Sequence, residues 1–152
     1  MKKWKILVLL IVTGIIIGLV GLWPRDPRKY YIKKYSEKLD IDLNSGKLIS
    51  YDDSHGGLDG DGLRLIIIDF SETGGLTDFG KLKDQPVSDN MAMVMWDIRS
   101  HSTFPAVDIP KAGYYFFENK NSGNEDVSEY KNFVFAMYEA DKKLLYVCEW
   151  DN

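Results

Sequence analysis

Cysteine is nearly absent from this chain. Cys148 is the only one among 152 residues, which excludes an intrachain disulfide and leaves the redox compartment open. It also argues against a lipoprotein, because no thiol lies near the N-terminal apolar stretch to take a lipid. Histidine is almost as scarce: His55 and His101 are far apart in sequence, so a site built on neighbouring imidazoles has no local material. Catalytic signatures are missing as well. No G-x-S-x-G elbow is present, and Gly80-Lys81 is followed by leucine where a P-loop needs serine or threonine. No repeat, low-complexity tract or cofactor fingerprint stands out. Positive charge is lacking in the body of the chain, where residues 40–152 hold ten basic and 21 acidic groups, a net −11. Such a surface repels phosphate backbones and excludes nucleic acid as a partner.

One long apolar run is present. Ile6 to Trp23 holds no charged side chain, and a helix of that length at about 1.5 Å per residue nearly covers a hydrocarbon core of about 30 Å. Lys2, Lys3 and Lys5 precede it and also fit a cleaved signal peptide. The run exceeds a signal-peptide core, however, and ends in Leu22-Trp23-Pro24-Arg25 with no small-x-small cleavage site. An uncleaved anchor is the better reading, and membrane lipid is then a partner. Arg25, Arg28, Lys29, Lys33 and Lys34 follow the run, so the positive-inside count is nearly balanced. The lysine-bearing tail is placed inside and the remaining chain outside the cytoplasm, which makes a single-pass protein of the cell membrane. Gly14 and Gly18 form one small-x-x-x-small pair, which either lets two anchors approach closely or reflects the frequency of glycine in such helices.

Three segments follow: residues 1–23 as cytoplasmic tail and transmembrane anchor, 24–40 as a juxtamembrane amphipathic helix, and 41–152 as one α+β domain, long enough for a single core. Asp26 is placed to cap the helix and Pro27 suits its first position. Tyr31, Ile32, Tyr35 and Leu39 recur at helical spacing. Lys29, Lys33, Lys34 and Lys38 then rest on anionic headgroups or form a solvated face. Strands are expected at Lys47–Tyr51, Leu63–Phe70, Gly113–Glu118, Asn132–Glu139 and Lys143–Trp150. Leu65-Ile66-Ile67-Ile68 is apolar at every position, as a central strand would be, and the closing hairpin through Ala140-Asp141-Lys142 is apolar on both faces. Gly74, Gly75, Gly80 and Pro86 mark an irregular stretch, and a short helix is expected around Met91, Val94 and Met95. The fold class is α+β, with a mainly antiparallel sheet of about five strands and one or two short helices.

Chemical character concentrates in one segment. From Asp53 to Gly62, ten residues hold four glycines, three aspartates and a histidine. The candidate binding loop is Asp53, His55, Gly56, Gly57, Asp59, Gly60, Asp61 and Gly62. Asp53, Asp59 and Asp61 could bind Ca²⁺, but Leu63 stands where a third ligand is needed and no glutamate closes the site. His55 with these aspartates could hold a transition metal, and His-Gly-Gly has the look of an oxyanion-hole loop without its nucleophile elbow. The plain alternative outweighs these: a glycine-permitted connection whose aspartates fix turns through their own backbone, with His55 a loop residue and not core.

The run Tyr51 to Gly62 resembles the acidic-Thr-His-Gly-Gly-Phe-His-Gly-Asp-Gly segment of an uncharacterised family of small membrane-anchored or secreted proteins of Gram-positive bacteria. The similarity extends to Gly113-Tyr114-Tyr115-Phe116-Phe117 and to Asn132–Glu139 through Leu145-Tyr146, covering most of residues 28–150. Leu58-Asp59 replaces Phe-His of that pattern, which removes a second histidine. The resemblance implies the architecture and no activity. A non-enzymatic binding or accessory domain with a protein partner is therefore expected, and the alternative is a metal-dependent hydrolase using Asp53, His55, Asp59 and Asp61.

Overall fold

The computed structural model describes residues 26–56, 60–86, 91–93, 95–96, 112–121 and 132–151. The proposed anchor Ile6–Trp23 lies outside them, as does His101. Among the described residues no helix is long and apolar enough to cross a membrane. The chain divides into two compact units, residues 1–31 and 32–152.

Helix α1 is Pro27–Leu39. It begins as the sequence predicts, with the Asp26 carboxylate accepting from the Arg28 amide at 3.0 Å. Asp40 ends it at a positive φ of 59°. The Ile41 amide reaches back to the Ser36 carbonyl at 3.1 Å, closing a Schellman-type end without glycine. Gly80 packs against that end: a β-carbon there would lie 2.2 Å from the Leu39 carbonyl oxygen. Only glycine lets the Lys81 amide donate to that same oxygen at 2.8 Å.

A six-stranded, wholly antiparallel sheet forms the rest: β1 Lys47–Asp53, β2 Gly62–Asp69, β3 Lys83–Pro86, β4 Ala112–Asn119, β5 Phe133–Glu139 and β6 Leu144–Asp151. Their spatial order is β1-β2-β6-β5-β4-β3, so the C-terminal strand fills the centre between β2 and β5. The fold is α+β, as expected. The strand count differs by one, because Lys83–Pro86 sits in the stretch assigned to irregular structure. With four residues, two of them charged and one proline, β3 has no alternation to betray it and is a short edge strand. The β5–β6 turn takes in Lys143, at φ 57°, and is one residue longer than expected.

Both sheet faces are covered, and this explains why β2, β5 and β6 are apolar at consecutive positions. On one face α1 buries Ile32, Tyr35 and Leu39. On the other, Leu65, Ile67, Tyr115, Phe117, Phe133, Phe135, Met137, Tyr146 and Cys148 form a core with Met91 and Met95. Those methionines lie on the expected short helix, whose described residues are 91–93 and 95–96. Phe135 and Val134 point to opposite faces and are 4% and 0% exposed, so the closing hairpin is buried on both sides.

Candidate functional site

Antiparallel pairing sets directly opposed residues on one face of a sheet. Following the register from β4 to β1, Glu118 opposes Val134, Val134 opposes Glu149, Glu149 opposes Arg64, and Arg64 opposes Asp53. Three ionisable side chains from β1, β2 and β6 thus form one continuous row on the face that carries α1, with Glu118 at its far end. One step along the strands, Asp151 opposes Gly62, and His55 passes directly over that glycine: a β-carbon on Gly62 would sit 2.5 Å from the His55 Cα. The glycine is thus required by a close backbone approach that places the imidazole above the row.

These two rows and α1 enclose a charge cluster. Arg64 is 5% exposed and Glu149 fully buried. The guanidinium donates from Nη1 to Glu149 Oε2 at 2.8 Å and from Nε to Asp53 Oδ2 at 2.9 Å. Helix α1 adds two partners for Glu149: Lys34 Nζ at 2.8 Å and the Tyr35 hydroxyl, which donates at 2.5 Å. Lys120, just past β4, reaches Glu149 at 2.5 Å and also pairs with Asp151. His55 spans the remaining gap, with Nδ1 2.6 Å from Asp53 Oδ1 and Nε2 3.1 Å from Asp151 Oδ2. Tyr51 donates to Asp53 at 2.8 Å.

The electrostatics follow from this crowding. Burial alone would raise the Glu149 carboxyl, but hydrogen bonds from Lys120, Lys34 and Tyr35 overturn it and hold the group at about 2. Asp53 shows the same balance: burial pushes it up, while Arg64, Tyr51 and His55 bring it to about 2. The Tyr35 phenol is driven well above its ordinary range by burial and by the carboxylate it donates to. Burial pushes Tyr51 up to about 12, with Asp53 adding to it.

Of the loop residues singled out in the sequence, the fold brings only Asp53 and His55 into this cluster, with Gly62 as their floor. His55 lies in the loop outside the strands, as expected, and its half-buried side chain, 13% exposed, bridges two carboxylates. Asp61 is exposed and Gly56 meets it only through the Gly56 amide and the Asp61 carbonyl, 3.4 Å apart. Gly60 supplies a positive φ of 72°. Gly57 and Asp59 lie outside the described residues. Of the two described aspartates, Asp53 faces Arg64 while Asp61 is exposed. Among the described residues no group of three His, Cys, Asp or Glu side chains is arranged to hold a metal. Both His55 nitrogens face carboxylate oxygens, which leaves neither turned toward an ion.

Arg64, Glu149, Lys120 and Asp151 were not singled out from the sequence, and Lys34, expected on headgroups or a solvated face, instead pairs with Glu149 beside Tyr35 of the helical stripe. A signal existed for two of them: Arg64 and Glu149 are lone charges within Leu63–Ile68 and Leu144–Trp150, otherwise apolar runs, and a buried charge demands an opposite one. Their separation of 85 positions along the chain hid the pairing. As chemistry, the cluster is a set of mutually engaged charges that locks α1, β1, β2 and β6 in one register, the best-attested use of a buried ionic network. No family model, curated protein or solved structure matches the chain.

Proposed function

We propose that this is a single-span membrane protein, anchored by Ile6–Trp23 with its N-terminus inside, whose acidic α+β domain lies outside the cytoplasm and serves as a binding or accessory module for a protein partner. The anchor rests on the uncharged apolar run and its lysine-bearing start. The resemblance to small membrane-anchored or secreted proteins of Gram-positive bacteria agrees with this placement.

One observation carries the binding reading. The short helix that buries Met91 and Met95 in the core turns Met93 and Trp96 outward, where they are 56% and 63% exposed. Three residues apart on a helix, they share a face. Tryptophan and methionine are enriched where proteins meet, and tryptophan is a frequent energetic anchor. The charge cluster is engaged within the domain and supports this surface only indirectly, by fixing the sheet beneath it.

The test is photocrosslinking in intact cells, with a benzophenone amino acid placed at Met93 or Trp96 of the full chain and at Asp141 as a distant control. A discrete adduct from the first two positions, absent from the third and lost in a Met93→Glu background, is the expected result. Adducts equal at all three positions, or none at Met93 and Trp96, would refute the partner surface. A C-terminal reporter active only in the cytoplasm would refute the orientation separately.

A further inference from the structure

Among the described residues, part of β4 has no strand on its outer side. β3 pairs only with Ala112–Tyr115 of β4, so Phe116–Asn119 of β4 receive no partner from it. The chain entering β3 instead turns away at Gly80, whose φ is 50°, and is pinned there by the bonds from Lys81 to Leu39 and from Leu82 to Phe79, each 2.8 Å. A cavity of about 380 Å³ is left against the open edge. Leu82, Met91, Tyr115, Phe116 and Phe117 line it together with Gly80, Lys81 and Lys83, and the buried Tyr115 hydroxyl has no hydrogen-bond partner among the described residues. Phe116 and Phe117 point to opposite faces of the sheet. Both lysines are exposed, whereas Leu82, Met91 and Phe117 are buried.

This combination has a definite chemistry. An apolar slot takes a hydrocarbon chain, and the exposed lysines in its lining attract a carboxylate or phosphate. The volume lies at the lower end of the range for small-molecule pockets, which suits one chain and not two. The pinned backbone makes the slot largely pre-formed, which lowers the ordering cost of filling it. We infer that the open edge of β4 binds a single-chain anionic amphiphile, its tail along Leu82, Met91 and Phe117 and its head at Lys81 and Lys83. The site is separate from the Met93–Trp96 surface and stands or falls independently of it.

The test uses the full chain in phosphatidylcholine nanodiscs and a diazirine-bearing decanoate, with adducts located by peptide mass spectrometry. Saturable labelling of the peptides holding Leu82, Met91 or Phe117 is expected. Decanoate should displace the probe at least about tenfold better than decanol, which lacks the charge, or acetate, which lacks the chain. Lys81→Glu/Lys83→Glu should weaken labelling about tenfold, and Lys81→Gln/Lys83→Gln by less, because reversal adds repulsion to the lost attraction. Loss of labelling on adding lysophosphatidylglycerol to the nanodisc would show that a single-chain phospholipid supplies the same head and chain, whereas persistence would assign the site to the free carboxylate. Labelling confined to residues 6–23, equal displacement by decanol, or unchanged labelling in both lysine double variants would overturn the proposal.

Discussion

Glu149→Gln isolates the charge at the centre of the buried cluster. The amide matches the carboxylate in shape and still accepts from Tyr35, but the attraction to Arg64, Lys34 and Lys120 is lost. These partners are not equally stranded. The Lys34 and Lys120 side chains are 36% and 26% exposed and can turn to water, whereas that of Arg64 is 6% exposed and cannot. Arg64 keeps Asp53 at 2.9 Å. Removing one partner of a buried ion pair costs about 3–5 kcal/mol, and with two of three cations able to reach solvent the lower end, about 3 kcal/mol at neutral pH, is expected. The pH dependence gives a second estimate. Glu149 is held at about 2 against an ordinary 4.5, so its contribution is fully present above the unfolded-state value. It disappears as pH falls through about 4.5 toward 2, and its size is again on the order of 3 kcal/mol. Urea unfolding of the full chain in mild detergent, followed by near-ultraviolet circular dichroism between pH 7 and pH 2, measures both quantities. The wild type should weaken steeply across that window and the variant more shallowly, retaining the Asp53 component, so that the two converge near pH 2. A loss below about 1 kcal/mol at pH 7, or parallel curves throughout, would refute the view that Glu149 is a charged and buried hub.

Two further substitutions probe separate parts of the structure. Gly62→Ala should destabilise the domain by about 1–3 kcal/mol by forcing the His55 backbone away from a contact of 2.5 Å. A melting temperature equal to that of wild type would show that the loop does not lie over β2. Tyr115 and Tyr35 form a contrast: both are buried, but the Tyr115 hydroxyl has no hydrogen-bond partner among the described residues, whereas that of Tyr35 donates to Glu149. Tyr115→Phe should therefore be neutral or stabilising by up to about 1 kcal/mol, while Tyr35→Phe should cost about 1.5–3 kcal/mol. Equal effects in urea titrations would contradict the assignment.

Local signals determined much of this fold. Asp26-Pro27 marked where α1 begins, the continuous apolar runs of β2, β5 and β6 marked strands covered on both faces, and Met91 and Met95 marked a short helix. Each depends on neighbours within a few residues, and the physics of capping and of period is legible at that range. The short strand β3 escaped because its four residues carry no period, and it exists only because β4 offers an edge to pair with. The charge cluster escaped for a deeper reason. Asp53 and His55 stand out in the sequence as part of an aspartate-rich loop, which reads as a glycine-permitted connection before it reads as a cation site. The cation they meet is Arg64, and the position of Arg64 beside Glu149 depends on β6 inserting between β2 and β5. That insertion is a choice of strand order made by the whole chain burying its apolar surface. Sequence alone thus disclosed which side chains are charged, while only the tertiary structure decided that those charges neutralise one another, since opposite charges pair across space and not along the chain.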